Sequence, residues 1–316
     1  MTRPKYDFDD SRFTLFRNTG ICFLSSPFPH YDVGLDTLID MSLTSLLDRS
    51  PALRAKLREE FRKPDFLIKA VIKAPPLTDH YGIVGRAFDY LFRFYIEKMN
   101  PGTKSSAWVA EEGLACLGED QPEHPGAKKI LKEAKKRYAS FLRSARQQPT
   151  REMAEAAVML AHLELIYREG IVDPMMFKET PAAILDDLEA MLALVRPEDF
   201  RGNTLCVLNP SFGTGSRLVR GADADLLIDN TLIDLKTNKR LEFNREIFNQ
   251  LVGYYVLSQI GGIPECPESR IETVGVYFAR FGVLHKIRIQ ECIAESRVPA
   301  VVDWFKKRGW ESPART

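Results

Sequence analysis

Asp223-Ala224-Asp225-Leu226-Leu227-Ile228-Asp229-Asn230-Thr231-Leu232-Ile233-Asp234-Leu235-Lys236-Thr237 reads as a short β-hairpin that gathers carboxylates and one lysine. Leu226 to Ile228 and Leu232 to Leu235 are apolar, partly β-branched runs, and Asp229-Asn230 supply a tight two-residue turn between them. With that turn Ile228 pairs with Thr231, Leu227 with Leu232, Leu226 with Ile233 and Asp225 with Asp234, so that Asp223 lies opposite Lys236. Moving the turn to Asn230-Thr231 changes the partners and keeps the two sets apart. A three-residue loop puts Asp234 on the wrong side, so an even loop is required. Alternation then sends Ala224, Leu226, Ile228, Thr231, Ile233 and Leu235 to an apolar face suited to a covering helix, and leaves the acids and Lys236 together on the other.

Carboxylates that face each other across a strand pair repel, and fixing them beside an apolar sheet raises the cost unless a cation neutralises them. Oxygen ligands favour Mg²⁺ or Mn²⁺ over zinc, with water and substrate phosphate filling the remaining positions. Lys236, two residues after Asp234, places an ammonium beside such an ion, where it orients or helps deprotonate a water and stabilises charge on a phosphate. That is the chemistry of phosphodiester hydrolysis. The competing reading of Asp234 and Lys236 is a structural ion pair.

Asp225 followed by Asp234-Leu235-Lys236 resembles the PD-(D/E)XK nuclease superfamily, with Ala224 standing where proline is usual. Fourteen positions after Lys236, Gln250-Leu251-Val252-Gly253-Tyr254 has the Q-h-x-x-Y form of the RecB-like branch. On a helix Gln250 and Tyr254 share a face, with Glu246 one turn earlier. Either Ile247, Leu251 and Val256 or Phe248, Tyr255 and Ile260 can bury against the sheet. The resemblance implies a restriction-endonuclease-like αβββαβ core over residues 177–316. It implies metal ligation by Asp225, Asp234 and the Leu235 carbonyl, assistance to water by Lys236, and positioning of water or phosphate by Gln250 and Tyr254. Asp223 is an alternative ligand. Glu164, Glu189 and His162 are candidates for an upstream ligand of the kind such nucleases contribute. Nucleic acid, DNA in preference to RNA, is the implied substrate, with roles in phage defence or DNA repair. A nuclease-fold protein that has lost turnover and binds or regulates nucleic acid is the alternative.

The 316 residues are 45% hydrophobic and 28% charged, which suffices for real cores in roughly two domains. The N-terminal Met1 to Asp7 lacks the layout of a secretory signal and no apolar run approaches the ~18 residues that cross a bilayer, so a cytoplasmic protein without membrane contact is expected. Cys22, Cys116, Cys206, Cys266 and Cys292 are scattered, which speaks against a disulfide framework and a zinc ribbon. The distance between the last two also speaks against the iron–sulfur cluster that some RecB-like nucleases carry. None of His30, His80, His124, His162 and His285 has a second histidine or cysteine at ligand spacing.

With a net charge of +1, any nucleic-acid footprint must be local. Lys128 to Arg146 is a basic amphipathic helix, either a solvated face or such a footprint. Arg217, Arg220, Lys239, Arg240 and Arg245 lie nearer the hairpin.

Further amphipathic segments at Leu35 to Leu47, Pro51 to Phe61, Ile83 to Met99 and Glu152 to Arg168 predict a mainly helical domain over 1–176, a surface for a second copy or a partner protein. Breaks fall at Asn100-Pro101-Gly102, Gln121 to Gly126 and Asp173-Pro174. Beyond them come a helix at Ala182 to Val195, a strand within Thr204 to Phe212, the hairpin, the Gln250 helix, strands at Ile271 to Phe281 and Val283 to Cys292, and a helix at Pro299 to Lys307. Phe212-Gly213-Thr214-Gly215-Ser216-Arg217 lacks the G-K-[ST] ending of a phosphate loop and reads as a flexible turn, whose glycines can also let a substrate backbone approach.

Overall fold

A computed structural model of the chain describes residues 43–105, 108–117, 126–219 and 221–308. The readings of Met1 to Asp7, of the segment beginning at Leu35 as far as residue 42, of Cys22, His30 and Arg220, and of Gln121 to Pro125 with His124 lie outside the described residues.

The first half is helical: α1 (Leu43–Arg49), α2 (Pro51–Glu60), α3 (Tyr81–Met99), α4 (Val109–Cys116), α5 (Gly126–Arg143) and α6 (Arg151–Glu169), with a two-residue strand β1 (Lys104–Ser105) between α3 and α4. The second half runs α7 (Ala182–Leu192), β2 (Cys206–Leu208), α8 (Thr214–Leu218), β3 (Leu226–Ile228), β4 (Thr231–Lys236), α9 (Arg245–Gly261), β5 (Thr273–Phe278), β6 (Val283–Arg288), α10 (Ile289–Cys292) and α11 (Val298–Arg308). Neither β1 nor α4 was expected from the periodicities, and the second half of the run Val283 to Cys292 is the short helix α10.

The strands form one mixed sheet in the order β1-β2-β3-β4-β5-β6. β4 and β5 run parallel, as a connection through α9 requires, and β3–β4 and β5–β6 are antiparallel. β4 is therefore central, hydrogen-bonded on both edges.

Period-two alternation gives this sheet two apolar faces, and both are covered. Leu226, Ile228, Ile233 and Tyr277 pack with α3, α6 and α7, and the rings of Phe92, Phe200 and Tyr277 meet at centroid separations of 5.0–5.6 Å. Leu227, Leu232, Val274 and Val276 pack with α9, itself enclosed by α1, α2, α8 and α11. The two sets of α9 residues considered in the sequence are thus both used: Phe248, Leu251, Tyr255 and Val256 are buried, with Ile247 and Ile260 partly so.

Each core joins residues from both sides of position 176. The expected division into a helical domain at 1–176 and a second domain at 177–316 therefore does not separate two cores. Helices α3 and α6 are needed to cover one face of the sheet, and α1 and α2 to complete the other.

The segment Phe212 to Arg217 is also not a flexible turn. Thr214–Leu218 is helical and lies against α9, so closely that a Cβ on Gly261 would sit 1.9 Å from the Phe212 carbonyl oxygen and one on Gly215 2.4 Å from that of Leu257. These glycines let two backbones touch, and no room for a substrate is left between them.

Candidate functional site

The hairpin has the expected register, Leu226–Ile233, Leu227–Leu232 and Ile228–Thr231, around the turn Asp229-Asn230. Asp229 adopts the left-handed conformation, φ 51°, which aspartate tolerates better than most residues. Its carboxylate accepts hydrogen bonds from the backbone N–H groups of Asn203 (3.0 Å), Thr204 (2.8 Å) and Leu205 (3.1 Å), tying the turn to the start of β2. Burial acts to raise its pKa, but these donors outweigh burial and hold it at about 2. Because the folded value is depressed, the contribution to stability is present above the unfolded value of about 3.9 and is lost as pH falls through about 2. Asp229→Ala should lower stability at neutral pH by about 1.5–3 kcal/mol, the scale of charge-assisted hydrogen bonds, and Asp229→Asn by less, read as a shift of the urea midpoint at unchanged slope.

Beyond Leu226–Ile233 the two strands part, which corrects the expectation that Asp225 faces Asp234 in a continuous ladder on one face. Here β3's lead-in follows its other neighbour: Asn209 N–H donates to the Asp225 carbonyl (3.1 Å), Ala224 N–H to that of Pro210 (3.2 Å), and Ser211 bridges Asp223. Asn209 has φ 49°, and Ala224 is buried in the α9 core whereas Leu226, two residues on, is buried in the opposite one. Strict alternation would have kept them together, so the chain bends at Asp225. Its side chain is thereby turned to the strand end, where one carboxylate oxygen accepts from the Leu235 N–H at 2.5 Å.

Asp234 and Lys236 point from β4 toward α9. Lys236 Nζ lies 2.7 Å from Asp234 and donates to Gln250 Oε1 at 3.0 Å, and Gln250 Nε2 donates to the Tyr254 hydroxyl at 2.9 Å. Helix α9 supplies this row because Asn244 caps it, accepting from the N–H groups of Glu246 and Ile247 at 3.0 Å, which fixes the phase of the turns that follow. Tyr254 stacks on Phe212, centroids 5.5 Å apart. Glu246, one turn earlier, is exposed and does not join the row.

Electrostatics distinguish the roles. Burial disfavours the Lys236 ammonium, but Asp234 and then Asp225 more than offset it and hold its pKa above the ordinary lysine value. A lysine so held is a donor and a fixed positive charge, not a base. Burial, reinforced by the charges of Asp234 and Asp225, pushes the Tyr254 hydroxyl well above its usual range, so it also stays protonated. Burial and then the neighbouring carboxylates of Asp234 and Asp89 push Asp225 well above the carboxylate range.

On the α3 side of the strand end lies a cavity of about 210 Å³ lined by Gly85, Arg86, Asp89, Glu164, Asp225, Leu235 and Thr237. Glu164 is thus the upstream candidate that the fold brings to the hairpin. Glu189 pairs with Arg151 at 2.8 Å on the surface of α7, and buried His162 sits 3.4 Å from Asp173, so neither lines this cavity. Asp89 was not foreseen. Its signal was an acid, with Arg93 four residues on, in the apolar middle of the run Ile83 to Met99. Burial raises the Asp89 pKa to about 6 against the opposing charge of Arg93.

Arg280 braces the same strand end from beneath. Nearly inaccessible, it forms a two-pronged ion pair with buried Asp187 at 2.6 and 3.0 Å, and donates to the carbonyls of Thr237 (2.8 Å) and Ala74 (3.1 Å). Of the basic residues near the hairpin, Arg245 lies over the rings of Phe66 and Phe248 and Arg240 lies 3.8 Å from Glu242. On α5, Lys135 and Arg137 are paired with Glu111 and Glu155, and no α5 residue lines the cavity.

The chain matches no family model, no curated protein and no solved structure. No helix among the described residues is long and apolar enough to cross a membrane.

Whether the residues fit a cation turns on charge balance. Asp89 pairs with Arg93, Glu164 with Arg168 and Asp234 with Lys236, and among the described residues Asp225 has no cation within ion-pair distance. Asp89 Oδ1 is buried and accepts no hydrogen bond among the described residues. No three His, Cys, Asp or Glu side chains among them converge into a ready-made ligand cage. An unneutralised carboxylate, a second with an unused oxygen and a polar cavity roomy enough for water fit a hard divalent ion of the Mg²⁺ type, which uses one or two carboxylates and retains waters.

Proposed function

We propose that this protein is a Mg²⁺- or Mn²⁺-dependent nuclease that hydrolyses phosphodiester bonds, with DNA as the favoured substrate, built on a restriction-endonuclease-like core. One observation carries the reading. The carboxylate of Asp225 and the row Asp234–Lys236–Gln250–Tyr254 meet at one end of a hairpin beside an acidic cavity, in the order of residues that the D-x-K and Q-h-x-x-Y motifs require.

Asp225, Asp234 and the Leu235 carbonyl would hold the ion at the strand end, with Glu164 and Asp89 lining the cavity that Asp225 borders on its α3 side. When bound, it supplies Lewis-acid polarisation of a phosphate oxygen and lowers the pKa of water. The rest belongs to the chain. The Lys236 ammonium, kept charged by Asp234, stabilises negative charge as it develops on the phosphate. Gln250 fixes that ammonium through Oε1 and the Tyr254 hydroxyl through Nε2. Tyr254, accepting from Gln250, retains its own proton to donate to a phosphate oxygen or a water. A role in phage defence or DNA repair would follow from such an activity.

The test combines cleavage with metal binding. Linear, circular and single-stranded DNA should be cut with Mn²⁺ and left intact with EDTA. Calorimetric titration should show Mn²⁺ binding that the double variant Asp225→Asn, Asp234→Asn lacks. Cleavage that survives EDTA rejects the reading. DNA binding and Mn²⁺ binding without cleavage would instead favour a nuclease fold retained as a binding or regulatory module.

A further inference from the structure

Residue Tyr81, the first of α3, is half exposed, and Lys239 from the loop after β4 holds its Nζ 5.2 Å from the ring centroid. These are neighbours of the site in two independent ways. One helical turn past Tyr81, Gly85 lines the acidic cavity and packs on the residue that follows Lys236: a Cβ at Gly85 would lie 3.2 Å from Thr237 Oγ1. Two turns past it is Asp89. At 1.5 Å per residue the backbone of Tyr81 lies about 6 Å along the axis from Gly85 and about 12 Å from Asp89, the span of roughly two to four nucleotides of one strand. Lys239 and Arg240 in turn lie three and four residues after Lys236, exposed on the loop that leaves its strand.

We propose that Tyr81 and Lys239 form a stacking platform at the mouth of the cavity that takes an unpaired base and its phosphate, so that the protein engages single-stranded or frayed DNA in preference to intact duplex. The inference rests on the phosphodiesterase reading for why nucleic acid comes here, and deepens it by naming the form of the substrate. The chemistry is that of a flat apolar ring with a cation over it. The ring offers a π-face to any base, and the ammonium meets the backbone. Within a duplex both faces of an internal base are covered by its neighbours, so the ring has nothing to stack on. The charge pattern directs the strand: the floor of the cavity is acidic and repels phosphate unless a cation is bound, whereas Lys239, exposed on the loop after β4, attracts it, joined by Arg240 and Arg86, which share their charge with Glu242 and Glu169. The Tyr81 ring is half in solvent and Lys239 is exposed, so both are open to a ligand.

Fluorescence anisotropy with labelled oligo-dT and with a blunt duplex of the same length, in EDTA so that nothing is cut, tests this. Tyr81→Ala should weaken oligo-dT binding by about 5- to 150-fold, the range of one base–aromatic stack, and move duplex binding by less than about 2-fold. Tyr81→Phe should retain binding. Lys239→Gln should reduce the salt slope of oligo-dT binding by about 0.7, the loss of one phosphate contact on a single strand. Equal losses on both substrates, no loss with Tyr81→Ala, or no binding of oligo-dT by the unaltered protein would overturn the platform. Because cleavage is not the readout, the two proposals fail separately. Tyr81-dependent binding without any Mn²⁺-dependent cutting rejects the nuclease alone, and cutting without a Tyr81 effect rejects the platform alone.

Discussion

Asp187→Ala is expected to cost about 3–5 kcal/mol, the largest loss of stability from any single side chain at this site. Asp187 and Arg280 are both buried, and removing the carboxylate leaves a guanidinium deep in the interior with no countercharge. Taking roughly 2 °C per kcal/mol for a chain of this size, the melting temperature should fall by about 6–10 °C. The pair itself is not the source of that stability, because apolar residues in place of both partners often serve as well. Here that substitution is not neutral, since Arg280 also satisfies the carbonyls of Thr237 and Ala74. Asp187→Leu with Arg280→Met should therefore recover part of the loss and leave a remainder of about 1–3 kcal/mol for carbonyls without donors. A double variant melting at the temperature of the unaltered protein would show that those two bonds contribute nothing.

Lys236→Ala should lower the rate of Mn²⁺-dependent DNA cleavage by about 10²–10³-fold, the effect of losing one preorganised charge at a reacting centre. The loss should fall on kcat, with KM nearly unchanged, if the ammonium acts on charge that develops only in the transition state. The ion pair with Asp234 makes a second prediction about pH. Its pKa being raised above the ordinary lysine value, Lys236 stays charged across neutrality, so no fall in rate below about pH 9 belongs to this residue. Equal cutting by Lys236→Ala and the unaltered protein would dismiss the lysine and leave Asp234–Lys236 as a structural ion pair. A urea titration of the variant separates lost chemistry from lost fold, because truncation leaves Asp234 buried beside Asp225.

Much of this arrangement was legible in the sequence because it is local. The turn at Asp229-Asn230 and the period-two run on either side determine the pairing from Leu226 to Ile233, and the four-residue spacing of Gln250 and Tyr254 puts their amide and hydroxyl side by side on one helix. What stayed hidden depends on partners distant in the chain. The bend at Asp225 arises because Asn209 and Pro210, just past the end of β2, take the hydrogen bonds of Asp225 and Ala224. Asp89 joins the site only because α3 is needed to cover an apolar face of the sheet, a demand that no spacing within α3 expresses. Arg280 and Asp187 are 93 positions apart and each, read alone, is an unremarked surface charge. The basic run in α5 is plain from composition, whereas the glutamates on α4 and α6 that pair with its Lys135 and Arg137 come from packing that composition does not encode.

Because α3 and α6 cover one apolar side of the central ribbon, and α1 and α2 enclose the helix α9 that covers the other, the early and late parts of the chain share both cores. A piece beginning near residue 177 would bare Leu226, Ile228, Ile233 and Tyr277 to water, and with them one wall of the acidic chamber would vanish along with Asp89 and Glu164. Swapping the front portion for a foreign module would thus remove part of each core and two of the acids that line the cavity.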